Sequence, residues 1–155
     1  MDWRELALVA PTFGLSRLVE ITGIPKERIL KWQQTGAWNV APLRRGKVRK
    51  YNIWDAVRAS IIRELSDAGM PITGKGEEIT SALVGSVVYA ARLGSGDLSQ
   101  LAEQVKLYRD KDGEWCIDLT GAFALDDERL GFVVIVLRLR RIAQEAESKS
   151  VVAAV

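Results

Sequence analysis

Glycine punctuation is the feature that most limits what this 155-residue chain can become. Gly23, followed by Ile24-Pro25, and then Gly36 leave room only for short helices in the first third of the chain. From Leu15 the spacing Leu15, Leu18, Val19, Thr22 reads as one apolar helix face, with Ser16 an early-turn or capping residue and Gly23 the stop. Pro25 suits the first turn of a second helix, over about 25–34. On that helix Ile29, Trp32 and Gln33 share one side, while Glu27, Arg28, Lys31 and Gln34 share another. The apolar stripe is expected to dock on the first helix and leave a polar, mostly basic face outward. The first ten residues read as a helical or irregular lead-in, punctuated by Pro11 and Gly14.

Two short helices, a tight Gly-containing turn and a basic outer face are the parts of a helix-turn-helix. Gly36 reads as a left-handed cap. Beyond it Trp38-Asn39-Val40 and Val48-Arg49-Lys50-Tyr51 are strand-like, with Gly46 at the tip between them, which predicts a small β-hairpin or wing. Asn52 is expected to cap a third helix from Ile53 to about Ala68, with Ala56, Val57, Ile61, Ile62 and Leu65 inward. Gly69-Met70-Pro71 ends it.

Charge is distributed unevenly along the chain. Residues 1–70 hold 12 Lys/Arg against 7 Asp/Glu, a net of +5, whereas residues 71–155 hold 10 against 13, a net of −3. Five cations and no acid fall within Leu43 to Lys50. Such a patch is the electrostatic footprint of a nucleic-acid binder, although a solvated loop has the same composition. The absence of histidine closes the Ser-His-Asp, Cys-His and ordinary zinc routes, so the chain is not expected to be an enzyme, and no cofactor or metal is expected. A lone cysteine, Cys116, points to a reducing, cytoplasmic compartment, where a DNA binder would be nucleoid-associated; it reads as a small buried hydrophobe. The apolar run Phe132 to Leu137 is far short of the roughly 20 residues that span a bilayer, and no signal-peptide pattern opens the chain.

The order helix, turn, helix, wing, helix resembles the MerR-like winged helix-turn-helix family. The resemblance rests on Leu18-Val19-Glu20-Ile21-Thr22-Gly23-Ile24, on Trp32 and Gly36, and on Arg49-Lys50-Tyr51 with Asp55 four residues on. Ile62-Arg63-Glu64-Leu65 with Gly69 completes it, over roughly residues 13–83. It implies a recognition helix at about 25–34 in the major groove of double-stranded DNA and a basic wing at 43–50 on the backbone or minor groove. Residue by residue, the DNA-contacting set is Lys26, Arg28, Lys31, Gln34, Arg44, Arg45, Lys47, Arg49, Lys50 and Tyr51. The family usually has a phosphate-contacting Arg at position 30 and an aromatic at the next; here they are Leu30 and Lys31, which shifts that contact to Lys31 or Arg28. Metal-sensing relatives carry several cysteines after the DNA-binding half, and this chain has one.

The remainder reads as a small mixed α/β region. Ile79, Leu83, Val87 and Ala90, with Val84 and Ala91 beside them, predict a fourth helix within 77–93, interrupted by Gly94-Ser95-Gly96. Ser99 to Glu103 adds a further turn of helix. Asp112-Gly113 between Val105–Tyr108 and Trp115–Leu119 predicts a hairpin. Phe132–Leu137 reads as a strand, Arg138–Glu147 as a terminal helix and Val151–Val155 as a frayed end. The expected class is therefore α+β, with a winged helix-turn-helix domain at 1–83 and a helix/strand region at 84–155 for oligomerisation or partner binding.

Two near-motifs are set aside. Gly69 to Gly76 matches seven positions of a phosphate-binding loop, but Gly76 lacks the hydroxyl and the segment follows a helix instead of a strand. Asp126-Asp127-Glu128, without supporting ligands, reads as a solvated loop or helix start. Three functions remain in competition. The first is a sequence-specific transcription regulator acting as a homodimer, since palindromic sites favour two-fold partners. The second is an architectural DNA-binding factor of the excisionase or phage-packaging kind, and the third a protein-interaction adaptor that has lost DNA binding.

Overall fold

The computed structural model describes residues 13–40, 43–93, 105–118 and 134–152. In chain order they form α1 (Leu15–Thr22), α2 (Lys26–Thr35), α3 (Ile53–Asp67), α4 (Lys75–Leu93), β1 (Val105–Arg109), β2 (Trp115–Asp118), β3 (Val134–Leu137) and α5 (Leu139–Val152). The class is α+β, as the patterning predicts. The expectations for residues 1–10, 99–103 and 126–128 fall outside the described residues.

The helix ends follow local chemistry. Gly23 takes φ 67° and donates its N–H to the Val19 carbonyl at 2.8 Å, and Gly36 takes φ 83° after α2. At the start of α1, Ser16 lies exposed in the first turn, one of its two expected places, and the N-cap is Gly14, with no side-chain bond. Pro25 stands one residue before α2, its carbonyl accepting from Arg28 N and Ile29 N. Asn52 and Asp55 form a reciprocal capping box on α3: Asp55 N donates to Asn52 Oδ1 at 3.1 Å, and Asn52 N to Asp55 Oδ2 at 2.9 Å. Such a cap contributes about 1 kcal/mol.

In the turn between α1 and α2 the Ile24 side chain is fully buried, and the Thr22 hydroxyl donates back to the Leu18 carbonyl at 2.8 Å. The Arg63 guanidinium reaches over from α3 and donates to the Thr22 carbonyl at 2.8 Å, placing a cation at the negative end of α1. Leu18, Ile21, Ile29 and Trp32 close against Ile61, Ile62 and Leu65. Full burial of each large aliphatic side chain contributes about 1.5–3 kcal/mol.

The wing departs from the predicted hairpin. Lys47 N donates to the Arg44 carbonyl at 3.0 Å, and Gly46 takes φ 77°, so the tip turns where expected. No ladder joins 38–40 to 48–51 among the described residues. Its partners are engaged elsewhere: Trp38 N donates to the Trp32 carbonyl at 3.1 Å, and Tyr51 pairs in both directions with Phe13, at 2.8 and 2.9 Å. The returning limb thus joins the segment leading into α1.

The three strands form one antiparallel sheet in the order β2-β1-β3, with Leu107 opposite both Ile117 and Ile135. The β1–β2 connection is longer than an Asp-Gly turn. Asp110 Oδ1 accepts from Asp112 N and Glu114 N, both at 2.9 Å, and Gly113 takes φ 81°. Cys116 is half-buried, less than expected, with its sulfur 3.8 Å from Asp110 Oδ2.

Helix α5 runs to Val152, past its predicted end, and packs on α3 and α1 with Leu139, Ala143 and Ala146 inward. Arg17 on α1 donates to the Lys149 carbonyl at 2.8 Å, fastening α5 to α1. One buried cluster therefore runs from Leu18 to Ala146. Among the described residues, no helix is long and apolar enough to cross a membrane.

Candidate nucleic-acid interface

The outer face of α2 is set by the inner one. Burial of Ile29 and Trp32 turns Lys26, Lys31 and Gln34 to the exterior, where all three are exposed. Arg28 is held differently. Its guanidinium makes an ion pair with Asp67 at the end of α3 and lies 5.1 Å from the centre of the Trp32 ring. Arg28 thereby joins α2 to α3 along the helix edge.

In the wing, Arg44, Arg45, Lys47 and Lys50 are exposed, while Arg49 is half-buried. Tyr51 is 3% exposed and packs edge-on to Trp38 with ring centres 5.9 Å apart. Its hydroxyl oxygen accepts from Gln33 Nε2 at 3.0 Å. Tyr51 is thus the floor of the wing, bonded to α2.

Between α2 and the wing lies an open groove of about 530 Å³. Leu30, Gln33 and Gln34 form one wall, while Leu43, Lys47, Val48 and Arg49 form the other, with Leu15, Val40 and Tyr51 completing the lining. The structure thus gathers Gln34, Lys47, Arg49 and Tyr51 of the sequence-predicted set around one depression. Arg28 lies apart from that lining, at Asp67.

Sequence reasoning missed three participants. Leu43 and Val48 are aliphatic residues inside a run of cations, an irregularity visible in the sequence but unused. Asp67 carried no signal, because its partner is 39 residues away. Among the described residues, no group of three or more acidic, Cys or His side chains could hold a metal ion.

The Gly69–Gly76 segment runs from the end of α3 into the first turn of α4, which rules out the strand-to-helix setting of a phosphate-binding loop. Gly76 is buried, and its Cα lies so close to Pro71 that an added Cβ would stand 1.8 Å from the Pro71 carbonyl oxygen. Glycine is there for close backbone approach.

No curated protein matches the chain. Residues 13–74, from the Phe13–Tyr51 bridge through α3 to the turn before α4, match the family model described as MerR HTH family regulatory protein. This segment of the chain is therefore similar to the helix-turn-helix domain of the MerR family of regulatory proteins.

Proposed function

We propose that the protein is a cytoplasmic, sequence-specific DNA-binding transcription regulator that is not an enzyme. The observation that carries this reading is the shared border of the groove: the exposed face of α2, with Lys31 and Gln34, stands beside a five-cation wing. An α-helix fits the major groove, and a flanking basic loop then meets phosphates or the adjacent minor groove. Gln34 is the base reader, with Lys26 and Lys31 on base edges or flanking phosphates. Arg44, Arg45, Lys47, Arg49 and Lys50 follow the backbone or the minor groove. Arg28 and Tyr51 serve this surface by holding α2 to α3 and to the wing. Residues 1–83 form the DNA-reading part, and residues 84–155 join two copies into a homodimer.

The test is fluorescence anisotropy on DNA from the region upstream of the chain's own gene and on a scrambled control, across a salt series. Wild type is compared with a folded variant carrying Arg44→Ala, Arg45→Ala and Arg49→Ala. The expected result is tight binding that favours the upstream DNA, weakens steeply with salt, and loses both affinity and slope in the variant. Equal affinity for both DNAs would move the reading to an architectural factor. Absence of binding to either at low salt would overturn it.

A further inference from the structure

Helix α5 begins with a charge pattern that the helix itself disfavours. Arg138, whose carbonyl accepts from Ile142 N at 3.1 Å, precedes Arg140 and Arg141, and the first turn holds no acidic residue. The starting end of a helix carries about half a positive charge, so it repels cations and attracts anions. Arg138, Arg141, Ile142 and Glu145 border a cleft of about 460 Å³, closed on the α3 side by Arg63 and Glu64. Three guanidiniums therefore meet two carboxylates there. Arg141 donates its Nε to Glu145 at 2.8 Å, and Arg63 lies 3.5 Å from Glu64. Arg138 has no side-chain hydrogen bond or ion pair among the described residues.

We propose that this cleft binds the phosphate monoester group of a small molecule. Among the charges of its lining one guanidinium is left over, and the start of α5 adds about half a charge more. A phosphate monoester carries about −1.5 to −2 near neutral pH and presents three terminal oxygens, whereas a carboxylate or a phosphodiester carries a single charge. Guanidinium groups hold such oxygens through paired N–H donors. Arg138 and the terminal nitrogens of Arg141 border the cleft and supply those donors. The volume is that of a small-molecule site, and Ile142 offers the carbon skeleton an apolar contact. Arg63 joins this cleft to the turn between α1 and α2, because it also donates to the Thr22 carbonyl. Occupancy is thereby felt at Thr22–Ile24.

The assignment is independent of DNA binding and is tested without DNA. The full chain is titrated with glycerol 3-phosphate, and separately with dimethyl phosphate as the diester control, at constant ionic strength set by chloride, while backbone amide shifts are followed by NMR. The expected result is saturable binding of glycerol 3-phosphate with a dissociation constant of about 1 mM or lower. Amide shifts are expected at Arg63, Glu64 and Arg138–Glu145, and at Thr22–Ile24 through Arg63. Dimethyl phosphate is expected to bind about tenfold more weakly, and Arg138→Ala and Arg141→Ala, both at exposed positions, to weaken glycerol 3-phosphate by about tenfold each. Circular dichroism melts check that each variant is folded. The wing variant carrying Arg44→Ala, Arg45→Ala and Arg49→Ala is expected to bind glycerol 3-phosphate as wild type does. Absence of saturable binding, shifts confined to residues 43–50, or affinity unaltered in both α5 variants would overturn the site. Equal affinity for the diester would overturn the monoester assignment, and still amides at Thr22–Ile24 would overturn the link through Arg63.

Discussion

Gln33 on α2 donates its side-chain amide to the Tyr51 hydroxyl at 3.0 Å, linking α2 to the base of the wing across 18 residues of sequence. The bond lies beneath the groove, so it fixes the separation of the two walls that DNA is proposed to meet. Tyr51→Phe removes the acceptor while keeping the ring against Trp38. The expected loss is about 0.5–1.5 kcal/mol in a urea melt, with a non-additive double-mutant cycle against Gln33→Leu. Full additivity of the two substitutions would show that the bond does not couple helix and wing.

Arg28 and Asp67 form a partly exposed pair, with side chains 33% and 56% accessible, so their contribution to stability is small, about 0.2–1 kcal/mol. Asp67→Asn removes an anion beside the basic surface and releases the guanidinium. DNA affinity at low salt is expected to rise about two- to fivefold, with the gain fading at high salt as screening sets in. Anisotropy titrations at two ionic strengths check this; weaker binding by the variant would mean that the pair positions α2 for the contact.

Burial raises the Asp55 carboxyl above its ordinary 3.8, against the opposing pulls of the Asn52 backbone N–H, Arg58 and Arg49. Between the unfolded and folded values the folded protein holds the proton more tightly. Stability from this group is therefore full at low pH and falls as pH rises through that window. Asp55→Asn is neutral throughout. Urea melts from pH 3.5 to 7 are expected to show the wild-type advantage over Asp55→Asn shrinking with rising pH; an advantage that grows instead would reverse the assignment.

Two glycines of α4 should respond in opposite directions to alanine. At Gly76 the new Cβ would collide with the Pro71 carbonyl oxygen, and overpacking of backbone is expected to cost about 1–3 kcal/mol. Gly85 is exposed within the helix, with nothing within 4 Å of its Cβ position, so alanine there is expected to stabilise by about 0.5–1 kcal/mol through helix propensity. Thermal melts of the two variants beside wild type test the pair.

What this sequence determines by itself is local. Gly23 and Gly36 stop helices because a left-handed residue is needed there, Asn52 starts α3 because its side chain and Asp55 satisfy two orphan N–H groups, and the apolar spacing names the buried faces of α1 to α4. These interactions span a few residues, so type and spacing suffice to read them, and the charge run from Leu43 to Lys50 locates the basic wing in the same way. Tertiary structure decided the rest. Tyr51 pairs with Phe13 instead of Trp38-Asn39-Val40, Arg28 finds Asp67, and Arg17 finds the Lys149 carbonyl. Alternation and charge specify that a strand edge or a guanidinium will seek a partner, not which partner folding brings within 3 Å. The groove exists for the same reason: Leu30, Leu43 and Val48 become one surface only after α2 and the wing are held apart by contacts remote in sequence.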